Sequence, residues 1–301
     1  MSQHVTVLPT LLQWFKPAET EQAIAEYIKT NNIEEGSIVE AEFLTQLARA
    51  QGLQKKFDEA RENLSQVKTT VDRIESSLDD QEGESDLQLD CRRVRVRYLL
   101  EYGRVINTSG NPEASIGAFR TASQISKLGA NPDLLSAYTV DAIHMLGIVD
   151  KENKAIWTNK AIAIAEKSKD PATKKWLASL LNNQGWNAHE VGAYQEALEF
   201  FERGLVERKK NGDQQTIKIA EWCVARCKRS LEDFDGALEI QERLSEEDVY
   251  VCEERAILYA LKEDKQALAR EFAGKALAKF KEGDVSEERL QALRDIAAKQ
   301  I

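Results

Sequence analysis

Five prolines, fifteen glycines, four cysteines and three histidines in 301 residues leave little to interrupt this chain. Ala, Leu, Glu, Lys, Arg and Gln fill it, so helix is expected throughout and sheet hardly at all. The cysteines (Cys91, Cys223, Cys227 and Cys252) are too few and too scattered for a disulfide framework, and lack the paired knuckles of a zinc site. No stretch approaches the ~18 apolar residues that cross a bilayer, and MSQHVTVLPTLLQWFKPAE has no basic leader. A cytoplasmic protein with no membrane association is expected. The sequons at Asn63 and Asn107 are then coincidences.

What is abundant is charge. Acidic residues outnumber basic ones 51 to 41, a net charge of -10 that argues against nucleic acid as the main partner. The 42% hydrophobic content is enough for a substantial core, either in two ordinary domains or in one elongated one.

The stretch NNQGWNAHEVGAYQEALEFFERGL, Asn182 to Leu205, carries the organising pattern. Leu181, Gly185 and Ala188 mark one face of a first helix, Gly192-Ala193-Tyr194 makes a turn, and Ala197, Phe201 and Gly204 mark one face of a second. Small residues let the two helices approach, and Tyr194 and Phe201 fill the space around the contact. Equivalent places are taken by Leu99, Gly103, Ile106, Gly110, Ser115, Phe119 and Ala122; by Leu44, Ala48, Phe57, Ala60 and Leu64; and by Val224, Ala225, Phe234, Ala237 and Leu244. Weaker copies lie around Ala142, Met145, Ala161 and Ile162, and around Ala256, Tyr259, Ala267 and Gly274.

These residues resemble the tetratricopeptide repeat (TPR), whose pattern residues 181–204 and 99–122 meet almost in full. The resemblance implies an all-α, right-handed superhelical solenoid of about six TPR-like helical hairpins over residues 36–282. Spacing departs from the family: Ser115, Ala197 and Ala237 are 82 and 40 apart, nearer ~40 than the consensus ~34 per unit, as in long-helix members. Residues 1–35 are expected to cap one end, with Leu11, Leu12, Trp14, Phe15, Ile24, Tyr27 and Ile28 facing inward. Residues 283–301 should form a C-terminal capping helix started by Ser286, with Leu290, Leu293 and Ile296 on its inner side. An acidic hinge is expected at about 74–90. Asn111-Pro112, Asn131-Pro132 and Asp170-Pro171 each read as a capping side chain before a helix-starting proline.

No constellation recommends an enzyme. There is no phosphate loop, the histidines are dispersed, and the Cys223/Cys227 pair reads as small buried residues rather than metal ligands, so no cofactor and no metal are expected. Binding is the better prospect. The first helix of each hairpin lines the concave side in this architecture, and its 100° periodicity aligns Arg93, Arg97, Arg104 and Asn107 in one hairpin. Asn182, Trp186 and His189 align in another, and Trp222, Arg226 and Arg229 in a third. Arginine forks suit carboxylates, and flat aromatics suit an extended peptide. Glu101, Asp141, Glu190 and Glu221 are candidate internal partners that would neutralise the arginines instead. Asn183 matches one asparagine of the carboxylate clamp of some family members, but Thr139, Ile143, Ile219 and Cys223 stand where basic partners would be needed. The expected function is a non-enzymatic scaffold for a protein or peptide segment, acidic or carboxylate-bearing. The alternatives are a regulatory sensor for a short peptide or metabolite, and self-association as a homo-oligomer.

Overall fold

The structure, a computed structural model, describes residues 7–13, 15–78, 85–129, 131–211, 214–281 and 283–299. Among them every regular element is a helix, and no helix is long and apolar enough to cross a membrane. Contacts divide the chain into two compact units, Met1–Leu177 and Ala178–Ile301.

In the first unit, α1 (Pro17–Thr30) packs on α2 (Ile38–Leu53), and α2 pairs with α3 (Phe57–Glu75). The next hairpins are α4 (Asp86–Thr108) with α5 (Pro112–Ile125) and α6 (Ser136–Val149) with α7 (Lys154–Lys167), before the single turn α8 (Pro171–Lys174). Within this unit α3 packs on α4 and α5 on α6, and α4 touches both α2 and α6. Local sequence sets the starts. Ser85 and Gln88 close a capping box on α4; the side chains of Asn111 and Asp170, each preceding a proline, accept the backbone N–H of Ala114 and those of Ala172 and Thr173, as expected. Asn131 does the same for a 3-10 turn, Pro132–Leu135, that leads into α6.

In the second unit the hairpins are α9 (Leu177–Glu190) with α10 (Tyr194–Asn211), α11 (Gln214–Ser230) with α12 (Phe234–Arg243), and α13 (Val249–Ala260) with α14 (Gln266–Lys279). Helix α15 (Glu287–Ala298), capped by Ser286, follows. Its Leu293 is 1% exposed and Ile296 packs with it on the α13/α14 core, while Leu290, also expected inward, is half-buried.

The pattern residues explain how closely the helices pair. A Cβ added to Gly103 would stand 2.7 Å from the Phe119 ring, and one on Gly185 would stand 2.6 Å from Phe201. Glycine therefore makes room for a ring that is fully buried, each worth about 1.5–3 kcal/mol of transfer free energy.

Three details differ from expectation. Phe15 does not face inward: it is fully exposed, and Leu8 at 1% fills the N-terminal core beside Ile24 and Phe43, while Trp14 lies outside the described residues. In the last hairpin Ala267 and Gly274 are exposed; the buried face of α14 is Ala269, Phe272, Ala273 and Ala276, two residues away from the expected register. Around the acidic segment, α3 persists through Glu75 and α4 begins at Asp86, with residues 79–84 outside those described.

Candidate protein-binding face

The expected contact residues fall into two groups, one in each unit. In the first, Arg93, Arg97, Arg104 and Asn107 lie on α4, and acids from neighbouring first helices meet the arginines. Arg93 is buried, gripping Glu42 of α2 through Nη2 at 2.6 Å and also reaching Asp90. Burial works against its charged form, but Glu42 and Asp90 outweigh that and raise its pKa. Arg97 Nε stands 3.2 Å from Glu42 and donates to the Tyr138 hydroxyl at 2.9 Å. Arg104 holds Glu101 at 2.6 Å and also Asp141 on α6, and Arg49 reaches Glu101 at 3.3 Å. Glu101 and Asp141 are thus the internal partners read from the sequence. Asn107 is half-buried, and its carbonyl accepts the Gly110 amide. Four arginines face Glu42, Asp90, Glu101 and Asp141, so the charges balance within the fold.

The second unit is arranged differently. Trp186 on α9, Trp222 on α11 and Tyr250 on α13 form a run of rings with centroids 6.1 Å apart at each step, continued by Phe280 at 5.6 Å. The inner end is anchored by Phe201, 5.1 Å from Trp186, and Tyr250 is 40% exposed. One turn along α11, Arg226 and Arg229 both hold Glu254, which is buried. Among the described residues no other acid lies within ion-pair distance of either arginine. Burial pushes the Arg226 pKa down, Glu254 only partly offsets that, and Arg229 adds to the depression. Arg226 Nη1 also donates to the Ser230 hydroxyl at 3.0 Å, which lies 2.9 Å from His189 Nε2. Burial, then Arg226 and Arg229, hold the His189 pKa below 6.5, so its ring is neutral at pH 7. Two half-buried guanidiniums sharing one carboxylate leave a net positive charge beside an aromatic strip. Asn182 is half-buried, and its Oδ1 accepts the Cys223 thiol at 3.3 Å.

Sequence reasoning passed over Tyr250 and Glu254. Tyr250 stands two residues after the α13 cap Asp248, and a helix start was its only local signal. Glu254 is one carboxylate among 51 acidic residues. All four cysteines are free and buried, and burial pushes Cys223 up to about 12 and Cys91 and Cys227 to about 11. Among the described residues no group of three His, Cys, Asp or Glu is placed to hold a metal ion.

No family model and no curated protein matches the sequence. Solved structures do match its fold. The apo form of RapI aligns over 97% of this chain and 78% of its own, with a TM-score of 0.67 at 14% identity. A Rap protein complexed with Competence and Sporulation Factor aligns over 98% of this chain and 84% of its own, with a TM-score of 0.53 at 14% identity. The signal-transduction ATPase with a tetratricopeptide repeat sensor from Pyrococcus horikoshii aligns over 97% of this chain, with a TM-score of 0.58 at 13% identity, and this chain spans 40% of its length. Together with the Gly103/Phe119 and Gly185/Phe201 contacts, these likenesses show a tetratricopeptide-repeat-like fold.

Proposed function

We propose that the protein is a non-enzymatic scaffold that holds a protein segment on the first-helix face of its second unit. The run Trp186, Trp222 and Tyr250, ending in a ring open to water, carries this reading. Aromatic surface on rigid helices offers apolar contact at little entropic cost. An acidic group on the segment would seat at Arg226 and Arg229, where the fold supplies one carboxylate for two guanidiniums. Arg93, Arg97 and Arg104 have internal partners, so their role in this reading is to hold α2, α4 and α6 together. The Rap neighbour supports the reading, because a protein of similar fold forms a complex with Competence and Sporulation Factor.

The test is capture of a partner by the full chain, compared with the Arg226→Gln/Tyr250→Ala double variant. Arg229 keeps its two-point grip on Glu254 in that variant, so the fold should survive. A partner held by the wild type and lost by the variant, with circular dichroism unchanged, supports the assignment. Equal retention by both proteins overturns it.

A further inference from the structure

A cleft of about 310 Å³ opens beside Trp222, between α11 and the start of α13. Ile219, Trp222, Leu244 and Val251 supply its apolar lining. Leu244 and Val251 are core residues, whereas Ile219 keeps 50% of its surface in water. The Trp222 indole N–H donates to the Tyr250 carbonyl at 3.2 Å, which fixes the ring as a wall of the cleft. Lys218, Glu247 and Asp248 also line the cleft, and Lys279 donates to the Glu247 carbonyl, so the polar lining favours neither sign of charge. An apolar lining among mixed polar groups suits a large uncharged side chain.

Ile219 and Trp222 share a face of α11 with Arg226 and Arg229: at 100° per residue the four fall within roughly 80° of arc. From Ile219 to Arg226 is ~10 Å along the axis at the helical rise. A segment in the polyproline II conformation returns a side chain to the same side every third residue, about 9.3 Å on. A β-strand offers about 6.7 or 13 Å for same-face neighbours and fits less well. Resting on the protein-segment reading above, we infer that the cleft receives a large apolar side chain of the bound segment, three residues from the carboxylate seated at Arg226 and Arg229. The ligand signature is thus an extended stretch bearing an apolar anchor and an acid at a spacing of three.

The probes are seven-residue peptides, acetylated and amidated, carrying one leucine and one glutamate three apart in a proline-rich background, in both orders. Binding is read from the tryptophan indole resonances of the full chain, with Trp222 assigned by Trp222→Phe. One order is expected to shift the Trp222 resonance. Ile219→Ser in the protein, Leu→Ser in the peptide, or glutamate moved next to leucine should each weaken binding at least about tenfold. The half-exposed Ile219 can be replaced without unfolding the chain, which an unchanged melting temperature would verify. Binding indifferent to Ile219→Ser or to spacing overturns the inference, as does the absence of any Trp222 shift. Partner capture judged by Arg226→Gln/Tyr250→Ala does not involve Ile219, so the scaffold reading stands or falls separately.

Discussion

Arg229 grips Glu254 with two nitrogens, Nε at 2.7 Å and Nη2 at 3.1 Å, and so joins α11 to α13 through a carboxylate almost closed off from water. Arg226 reaches the same group from one turn away. The two arginines therefore differ in dispensability. Glu254→Ala leaves both cations without their counter-ion and is expected to cost about 1–3 kcal/mol, whereas Arg226→Gln should stay within about 1 kcal/mol. Urea unfolding of the two variants measures the difference.

The glycines beneath the rings give a contrasting pair. Gly185→Ala drives a Cβ into Phe201 and is expected to cost about 1–3 kcal/mol. Among the described residues nothing lies within 4 Å of the would-be Cβ of Gly117 on α5, so Gly117→Ala should be neutral or stabilising by up to about 1 kcal/mol. Thermal melts of both variants check the sign.

Gln241 takes the place on α12 that Phe201 holds on α10. It is fully buried, and among the described residues neither its Nε2 nor its Oε1 has a hydrogen-bond partner. Gln241→Met keeps the shape and removes the stranded amide, which should stabilise the protein by about 1–2 kcal/mol. A higher urea midpoint at an unchanged slope is the expected result.

Reversing the charge of Arg97 and Arg104 together would set glutamates against Glu42, Glu101 and Asp141. The double variant is expected to lose about 3–5 kcal/mol of stability, because the acids it strands are themselves buried or half-buried. Circular dichroism melts should show the loss with no ligand present.

His144 packs against Trp176, with ring centroids 5.4 Å apart. Burial holds its pKa below 6.5, Asp141 opposes this and Arg104 adds to it. The unfolded chain therefore takes up the proton first as pH falls, so this contribution to stability is complete above pH 6.5 and declines below it. His189 has the same sign. His144→Gln should flatten the stability profile just below pH 6.5, as measured by urea midpoints.

The hairpins were legible because Gly185 and Phe201, and Gly103 and Phe119, hold the same spacing, and a glycine facing a large ring is a local signature of close helix pairing. The register of α14 was not, since Ala273 stands where the two clearest copies carry Phe119 and Phe201, and alanine occurs on opposite faces of that helix. The arginine stripe of α4 was visible as a stripe, but its occupancy depended on Glu42, 51 residues from Arg93 and on another helix. No local pattern ties those positions together. Trp222 and Arg226 could be placed on one face from periodicity alone, whereas the ring that extends their strip, Tyr250, comes from the next hairpin.

The most direct measurement of the scaffold reading places a photo-crosslinking residue at Ile219, beside the aromatic strip, and in a second protein at Val206 on α10, which is 54% exposed. In native lysate, Ile219 is expected to give a discrete protein adduct that Arg226→Gln diminishes, while Val206 gives none. Adducts of equal yield at both positions, or none at Ile219, would contradict the account.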